Sequence, residues 1–274
     1  MSSSKRPGKR AYLLISLFAL LLVLFPFTFW YYTWFGRPLS DSEIDQFFDD
    51  STKPRRAQHA LVQVGERIGR KQDVSRWYPN VIQTAAGSSS ELRQTAAWIM
   101  GQDRNYAPFH EALRRLLADP EPMVRRNAAL ALSGFGDHAA RPELTAMLRP
   151  YTITAPVAGG VKYRIKPGDY VNPGTMIGRL DNAEVRAPVP GETRALDRPE
   201  NSAVHPGDPL VTLGPDKNHV WEALRGLYVV GETGDLPDVE RFLRPVNGLP
   251  EAVARQASLT AQAIRARRNT GEIQ

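Results

Sequence analysis

The sequence predicts a multidomain protein with an N-terminal transmembrane helix, an α-solenoid of helix pairs, and an all-β domain inserted between two repeats of that solenoid. Three observations predict this architecture. Residues 11–35 contain no charged side chain. Helical segments before residue 150 recur at a spacing of about 32 residues, which is typical of a solenoid. Tyr151–Asp216 is rich in proline and glycine and contains two short phrases that each occur twice.

The uncharged stretch Ala11–Phe35 is predicted to be the transmembrane helix. At 1.5 Å per residue, a helix of about 25 residues spans a bilayer with some tilt. The basic tail 1–10 precedes it, which predicts a cytoplasmic N-terminus, a single pass through the inner membrane and a periplasmic location for the rest of the chain. A cleaved signal peptide is the alternative. It is disfavoured because the apolar stretch is long and no small-residue cleavage site follows it.

The formal net charge of +6 argues for a nucleic-acid partner only at first sight. Four of the six charges belong to Lys5, Arg6, Lys9 and Arg10, and the remaining chain is nearly neutral. We therefore predict no nucleic-acid partner. The chain contains no cysteine, which excludes disulfides, thiol catalysis and cysteine-ligated metals.

Residues 36–53 are predicted to form an acidic linker with one short amphipathic helix. Ile44, Phe47 and Phe48 stand at i, i+3 and i+4, as the apolar side of such a helix requires. Two interpretations are open for this helix. It either packs on the domain that follows, which is favoured, or docks a partner.

Residues 54–150 are predicted to fold as antiparallel helix pairs. Glu91–Gly101 aligns with Pro122–Leu132, and small alanines recur at matching positions, so neighbouring helices approach closely. The line Asp119–Gly136 resembles HEAT-like repeats of the type named after phycobilisome lyases. That resemblance implies a packing unit with a surface for protein contact, and no lyase activity is carried over. The pattern returns in residues 217–268 as a further repeat and a capping helix, before a tail at 269–274.

The block between these repeats is predicted to be β-structure in two matching halves of about 32 residues that clasp each other. Ala155–Gly159 is echoed by Ala187–Gly191, and Lys166–Val171 is echoed by His205–Leu210. The glycines of these phrases are expected at turn positions with positive φ. Since the block interrupts one helical stack, its entry and exit are expected to lie close together.

These phrases, above all Gly168–Ile177, resemble the biotinyl/lipoyl domain, a barrel-sandwich hybrid of two intertwined halves. The carrier members of that family hold a cofactor on a lysine at the turn between the halves. Here that turn is Leu180–Glu184 and has no lysine. The nearest lysines, Lys162, Lys166 and Lys217, lie elsewhere, so no cofactor is expected. Membrane fusion (periplasmic adaptor) proteins share the fold without the lysine, but a helical hairpin splits their halves, so this resemblance is partial.

No catalytic, cofactor-binding or metal-binding residue is predicted. The five histidines show no metal-ligand spacing, and there is no Walker loop or Gly-x-Ser-x-Gly motif. Candidate partner-contact residues are Asp181 and Asn182 at the hairpin tip, and Arg114 and Arg115 in a basic helix face. The alternatives are a plain hairpin turn for the first pair and a solvated helix face for the second.

Together these features predict a non-catalytic, membrane-anchored scaffold or adaptor in a cell-envelope complex such as an export or efflux machine. Its predicted partners are other membrane or envelope proteins, bound through the HEAT faces and the lipoyl-like domain, and the membrane itself through Ala11–Phe35. The alternative function is an accessory subunit or assembly factor of a membrane-bound enzyme such as a respiratory complex. A carrier component with its lysine elsewhere is a third hypothesis.

Overall fold

A computed structural model describes residues 9–33, 37–50, 53–244 and 250–271. The chain divides into two compact units, Met1–Gln63 and Val64–Gln274. Most of the predicted basic tail, at 1–8, and the end of the predicted C-terminal tail, at 272–274, lie outside the described residues.

The first unit contains helix α1 (Lys9–Thr33), where the sequence predicts a transmembrane helix. Among the described residues, no helix combines the length and the apolar character needed to cross a membrane. This finding overturns two predictions, the transmembrane helix at Ala11–Phe35 and the single-pass location in the inner membrane with a cytoplasmic N-terminus.

Helix α2 (Asp41–Asp49) begins at a capping box. The Ser40 hydroxyl accepts a hydrogen bond from the Glu43 N–H, and the Glu43 carboxylate accepts one from the Ser40 N–H at 2.9 Å. Arg37 donates to the same carboxylate, and these bonds lower the pKa of Glu43 to about 2. The Phe47 ring lies 6.0 Å from the His59 ring on the next helix, so α2 packs on its neighbour within this unit.

The helices that follow α2 form short pairs joined by tight turns and 3₁₀ segments. Their bounds are α3 (Pro54–Gly69), α4 (Tyr78–Ala85), α5 (Ser90–Met100), α6 (Ala107–Leu116), α7 (Pro122–Gly134), α8 (Arg141–Met147), α9 (Lys217–Val230), α10 (Leu236–Glu240) and α11 (Glu251–Gly271). Several begin with proline in the first turn, where the missing N–H has no intrahelical acceptor to lose.

Helices α5, α7, α9 and α11 lie side by side in a stack, and side-chain hydrogen bonds near their first halves join each neighbouring pair. The three bonds run from Asn127 to the Gln94 carbonyl (3.1 Å), from Arg126 to Nδ1 of His219 (3.0 Å), and from Thr260 to the Leu224 carbonyl (2.8 Å). These partners are separated in sequence by 33, 93 and 36 residues, respectively. The interval between Arg126 and His219 contains the strands of residues 151–213, and without them it is about 30 residues long. The inserted strands therefore leave the spacing of the repeats unchanged.

Residues further along the same helices also meet, which fixes the direction of packing. A Cβ at Gly101 would lie 2.9 Å from the Cβ of Ala131, and one at Gly226 would lie 3.1 Å from the Ser133 hydroxyl. Later residues therefore contact later residues, and α5, α7 and α9 run parallel. Helices α6, α8 and α10 complete the pairs, as in a helical solenoid.

Arginine–aspartate pairs join successive repeats. Arg93 on α5 makes two bonds of 2.7 and 2.9 Å to Asp119, which lies just before α7. Burial raises the pKa of Asp119, but the bonds from Arg93 and the Glu121 N–H outweigh it, and the net shift is downward. Arg149, which follows α8, makes the same paired contact with Asp238 on α10 at 2.9 and 2.6 Å. The second pair links residues on opposite sides of the β-strands, so the helical stack continues across them.

The stretch between α8 and α9 is confirmed as antiparallel β-structure, curled into two four-stranded sheets. The strands are β1 (Tyr151–Thr154), β2 (Gly159–Tyr163), β3 (Tyr170–Val171), β4 (Met176–Leu180), β5 (Ala183–Arg186), β6 (Gly191–Leu196), β7 (Ala203–Val204) and β8 (Pro209–Leu213). The sheet orders are β1-β8-β6-β3 and β5-β4-β2-β7, so both sheets combine strands from the two sequence halves. One core of inward side chains, including Val161, Ile177 and Val211, lies within this β region.

The repeated Pro-Gly-Asp phrase forms the same turn twice. The carboxylates of Asp169 and Asp208 each accept a 2.9 Å bond from the backbone N–H three residues earlier. Gly168 and Gly207 have φ of 93° and 91°, which confirms the predicted positive φ at these positions. The same prediction is wrong for Gly159 and Gly191. At Gly191 the reason for glycine is close approach, since a Cβ there would lie 2.5 Å from the Gly214 carbonyl oxygen.

The chain enters and leaves the β region at one place, as expected. Tyr151 is opposite Leu213 in the antiparallel pair β1–β8. Asp216 then caps α9 by accepting bonds from the N–H groups of Asn218 and His219, and it also accepts a 2.7 Å bond from the Tyr170 hydroxyl. One carboxylate thus starts the returning helix and holds β3 against it.

Arg126 on α7 is 4% exposed and lies at the centre of this junction. It donates to Nδ1 of His219, its guanidinium carbon is 5.9 Å from the centre of the Tyr151 ring, and its Nε is 3.8 Å from the Glu143 carboxylate. Burial, together with the Arg126 charge, lowers the pKa of His219 to about 4. His219 is therefore neutral in the folded protein at neutral pH, with Nδ1 free to accept.

The junction predicts that the protein loses stability in mild acid. The ordinary pKa of histidine is about 6.5, whereas the pKa of His219 in the folded protein is about 4, so the unfolded chain binds the proton first as the pH falls through this window. In His219→Asn, the asparagine Oδ1 replaces Nδ1 as the acceptor. Between pH values of about 7 and about 4.5, we expect the free energy of unfolding of this variant to fall by on the order of 2 kcal/mol less than that of the native chain. Urea unfolding at both pH values measures this.

His205→Asn is the matched control, because the His205 side chain is 85% exposed. It is expected to retain the pH dependence of the native chain. An unchanged pH dependence in His219→Asn would show that protonation of His219 does not cause the loss of stability in acid.

Candidate interaction groove

A groove with a volume of about 700 Å³ lies along the parallel helices. It is lined by Gly101, Gln102, Arg104, Leu130, Ser133, Gly134, Glu222, Arg225, Gly226, Tyr228, Val229, Gln256 and Leu259. These residues belong to α7, α9 and α11 and to the end of α5 with its following loop. The groove is therefore built from helices that precede the β region and helices that follow it.

Close packing of the helices sets the shape of the groove. At Gly226, a Cβ would lie 2.9 Å from the Leu144 side chain, so only glycine lets α9 approach α8 this closely. At Gly134, a Cβ would lie 2.7 Å from Nε of Arg104. The guanidinium of Arg104 therefore lies directly against the backbone of α7, at the edge of the groove.

Three large apolar side chains are exposed in the groove. Tyr228, Val229 and Leu259 are 47%, 49% and 51% exposed, whereas the neighbouring Leu227 and Val230 are fully buried in the stack. Single exposed apolar residues are ordinary on protein surfaces, but a cluster inside a concave surface is typical of an interaction site.

Two arginines and one glutamate supply the charges of the groove. The Arg225 guanidinium lies 4.7 Å from the centre of the Trp221 ring and contacts the Glu222 carboxylate at 3.4 Å through one nitrogen. Arg104 is exposed, and within the part of the chain that the structure describes no carboxylate lies within ion-pair distance of it. The charged side chains lining the groove are thus more cationic than anionic.

The sequence-predicted contact residues at the hairpin tip lie away from this groove. Asp181 turns the chain between β4 and β5 with φ of 49°, and its carboxylate accepts a 3.1 Å bond from the Gly160 N–H. Asn182 is exposed beside it. This backbone conformation and hydrogen bond agree with the interpretation as a plain hairpin turn. Partner contact at Asp181 and Asn182 stays a prediction.

The predicted basic helix face is also separate from the groove. Arg114 makes bonds of 2.5 and 3.1 Å to the nearly buried Asp137, and this contact lowers the pKa of Asp137 to about 2. Arg115 is exposed on the same helix. Arg267 on α11 donates to the carbonyls of Leu227, Tyr228 and Gly231, where it caps the end of α9.

Binding is the chemistry that the groove offers. Guanidinium and amide groups among its lining residues present hydrogen-bond donors, and its exposed apolar side chains present surface to bury. Across the described residues there is no group of three or more histidines, aspartates and glutamates arranged to hold a metal ion.

Sequence reasoning did not find the groove residues because they lie on four different segments. The sequence did contain one signal. Tyr228 and Val229 lie between the buried Leu227 and Val230, so the apolar side of α9 is broader than the part of it that the core covers.

Part of the helical stack is similar to a known family. Residues 78–153 match the family model of HEAT repeats. The matched segment begins at α4 and ends within β1, so it includes the two groove-lining helices that precede the β region. No curated protein matches the sequence. HEAT repeats generally mediate protein interactions, and their stacked helices create extended binding surfaces.

The exposure pattern predicts that the groove side chains contribute little to folding. Leu259→Gln is expected to change the free energy of unfolding by less than about 1 kcal/mol, because Leu259 is half exposed and glutamine is a good helix former. Leu227→Ala in the adjoining core is the matched comparison, with an expected loss of about 2–5 kcal/mol. Urea unfolding of the two variants measures the difference, and equal losses would place Leu259 in the core.

Proposed function

We propose that this protein is a non-catalytic scaffold that binds a protein partner in the groove of its HEAT-like stack. The main supporting observation is that Tyr228, Val229 and Leu259 are exposed together in the groove. The helices that bear them are packed through other, buried residues, so folding does not require these three side chains. The match to HEAT repeats supports it, because that family generally provides protein-binding surfaces.

The proposal assigns the β region to the lipoyl/biotinyl-like fold in its form without a carrier lysine. Two features support this assignment. Both sheets interleave strands from the two sequence halves, and the Pro-Gly-Asp turn recurs with the same hydrogen bond in each half. The β4–β5 turn holds Asp181 and Asn182 where a carrier domain holds its lysine. We propose that the region serves as a second contact surface rather than as a cofactor carrier.

The scaffold role also depends on how the two surfaces are joined. Asp216 accepts a bond from Tyr170 of the β region while it caps α9, which lines the groove. A partner that contacts both the β region and the groove would therefore meet two surfaces with a fixed spacing.

Site-specific photocrosslinking in the producing cells tests the groove as a protein-binding site. A photoreactive amino acid replaces Leu259 or Val229 in the groove, and Arg115, exposed on α6 outside it, is the control position. We expect a discrete covalent adduct with another protein at both groove positions and none of that mass at Arg115. The same adducts at all three positions, or no adduct at the groove positions, would contradict the proposed function.

A further inference from the structure

We infer that the partner presents an acidic peptide segment to the groove, with carboxylates that meet Arg104 and Arg225 and an apolar side chain that covers Val229 and Leu259. The inference rests on the proposed function and adds the chemistry of the partner. It is supported by the charge of the groove and by the exposed apolar side chains that line it together with the two arginines.

The first step is the imbalance of charge. Elsewhere in the stack, Arg93 and Arg149 each make paired bonds to a nearly buried aspartate, Asp119 and Asp238 respectively. Arg104 has no such partner among the residues that the structure describes, although it is held against the backbone at Gly134. A partner carboxylate can make the paired contact that the chain itself does not supply.

The second step is the fixed orientation of Arg225. Its guanidinium is stacked on Trp221 with 4.7 Å to the ring centre, which restricts the rotamers of a long side chain before any partner binds. The Glu222 contact is a single bond of 3.4 Å between exposed groups. Such a contact is weak, so a partner carboxylate in paired geometry can compete for this guanidinium.

The third step is the apolar surface that lines the groove together with the arginines. Val229 and Leu259 are aliphatic, and Tyr228 is the one aromatic residue among those lining the groove within the described chain. Single-stranded nucleic acids bind through several aromatic stacking platforms in a basic groove, which this surface does not provide. An acidic peptide segment with aliphatic side chains satisfies the arginines and buries the aliphatic surface together.

The test uses the full chain and four fluorescently labelled probes in anisotropy titrations at low and high salt. The probes are a leucine–glutamate peptide, a leucine–lysine peptide and a serine–glutamate peptide of equal length, and a short single-stranded DNA. We expect the leucine–glutamate peptide to bind at least about tenfold more tightly than each of the other three, and to weaken as salt rises.

Variants locate the binding in the groove. Arg104→Gln combined with Arg225→Gln is expected to weaken the leucine–glutamate peptide by about tenfold or more, whereas the control Arg115→Gln changes its affinity by less than about twofold. Both altered arginines are exposed, and thermal unfolding monitored by circular dichroism verifies that the variant is folded. Arg104→Glu combined with Arg225→Glu is expected to reverse the preference towards the leucine–lysine peptide.

Equal binding of the acidic and basic peptides, tighter binding of the DNA, or retained affinity in the double glutamine variant overturns the inference. Photocrosslinks at Leu259 without binding of the leucine–glutamate peptide would leave the proposed function standing and remove only the acidic partner. Absence of both the crosslinks and the peptide binding would contradict the proposed function and the acidic partner alike.

Discussion

The antiparallel pairing of β1 with β8 is the interaction on which the rest of the molecule depends. It places Tyr151 opposite Leu213, so the chain leaves the helical stack and returns to it at neighbouring points. Because the ends meet, an entire β region fits between α8 and α9 at little cost to the stack, as inserted domains require. Asp216 uses the return point to cap α9, and Arg126 and His219 bond across α7 and α9 one turn further on. A wider separation of the two ends would break this contact and the parallel packing that follows from it.

The groove is a consequence of the same pairing. Its lining residues up to Gly134 precede the β region, and those from Glu222 onward follow it, so neither part of the chain forms the groove alone. The close approach at Gly226 and the cap that Arg267 places on the end of α9 hold the second part in position. The β region is thus both a surface in its own right and the segment whose closed ends bring the two sides of the groove together.

Local sequence signals predicted the elements of this fold well, because they depend on short-range physics. The line Asp119–Gly136 predicted the HEAT-like helices, and the Pro-Gly-Asp phrases predicted turns that require positive φ at Gly168 and Gly207. The transmembrane prediction was wrong, since no helix among the described residues combines the length and the apolar character needed to cross a membrane. Gly191 and the groove lay beyond prediction because both depend on which distant backbone or helix arrives beside a residue. Leu259 and Arg104, for instance, share a groove through four separate segments.

Hydrogen exchange of the α7 amides in a Leu224→Ala variant tests most directly whether one helical stack runs across the β region. Leu224 is fully buried in α9, on the far side of the insertion from α7. If the stack is continuous, the cavity left by this change lowers the protection of α7 together with that of α9 and α11, because neighbouring repeats stabilise one another. Faster exchange confined to α9 and α11, with α7 protected as in the native chain, would show that the helices on the two sides of the β region are independent.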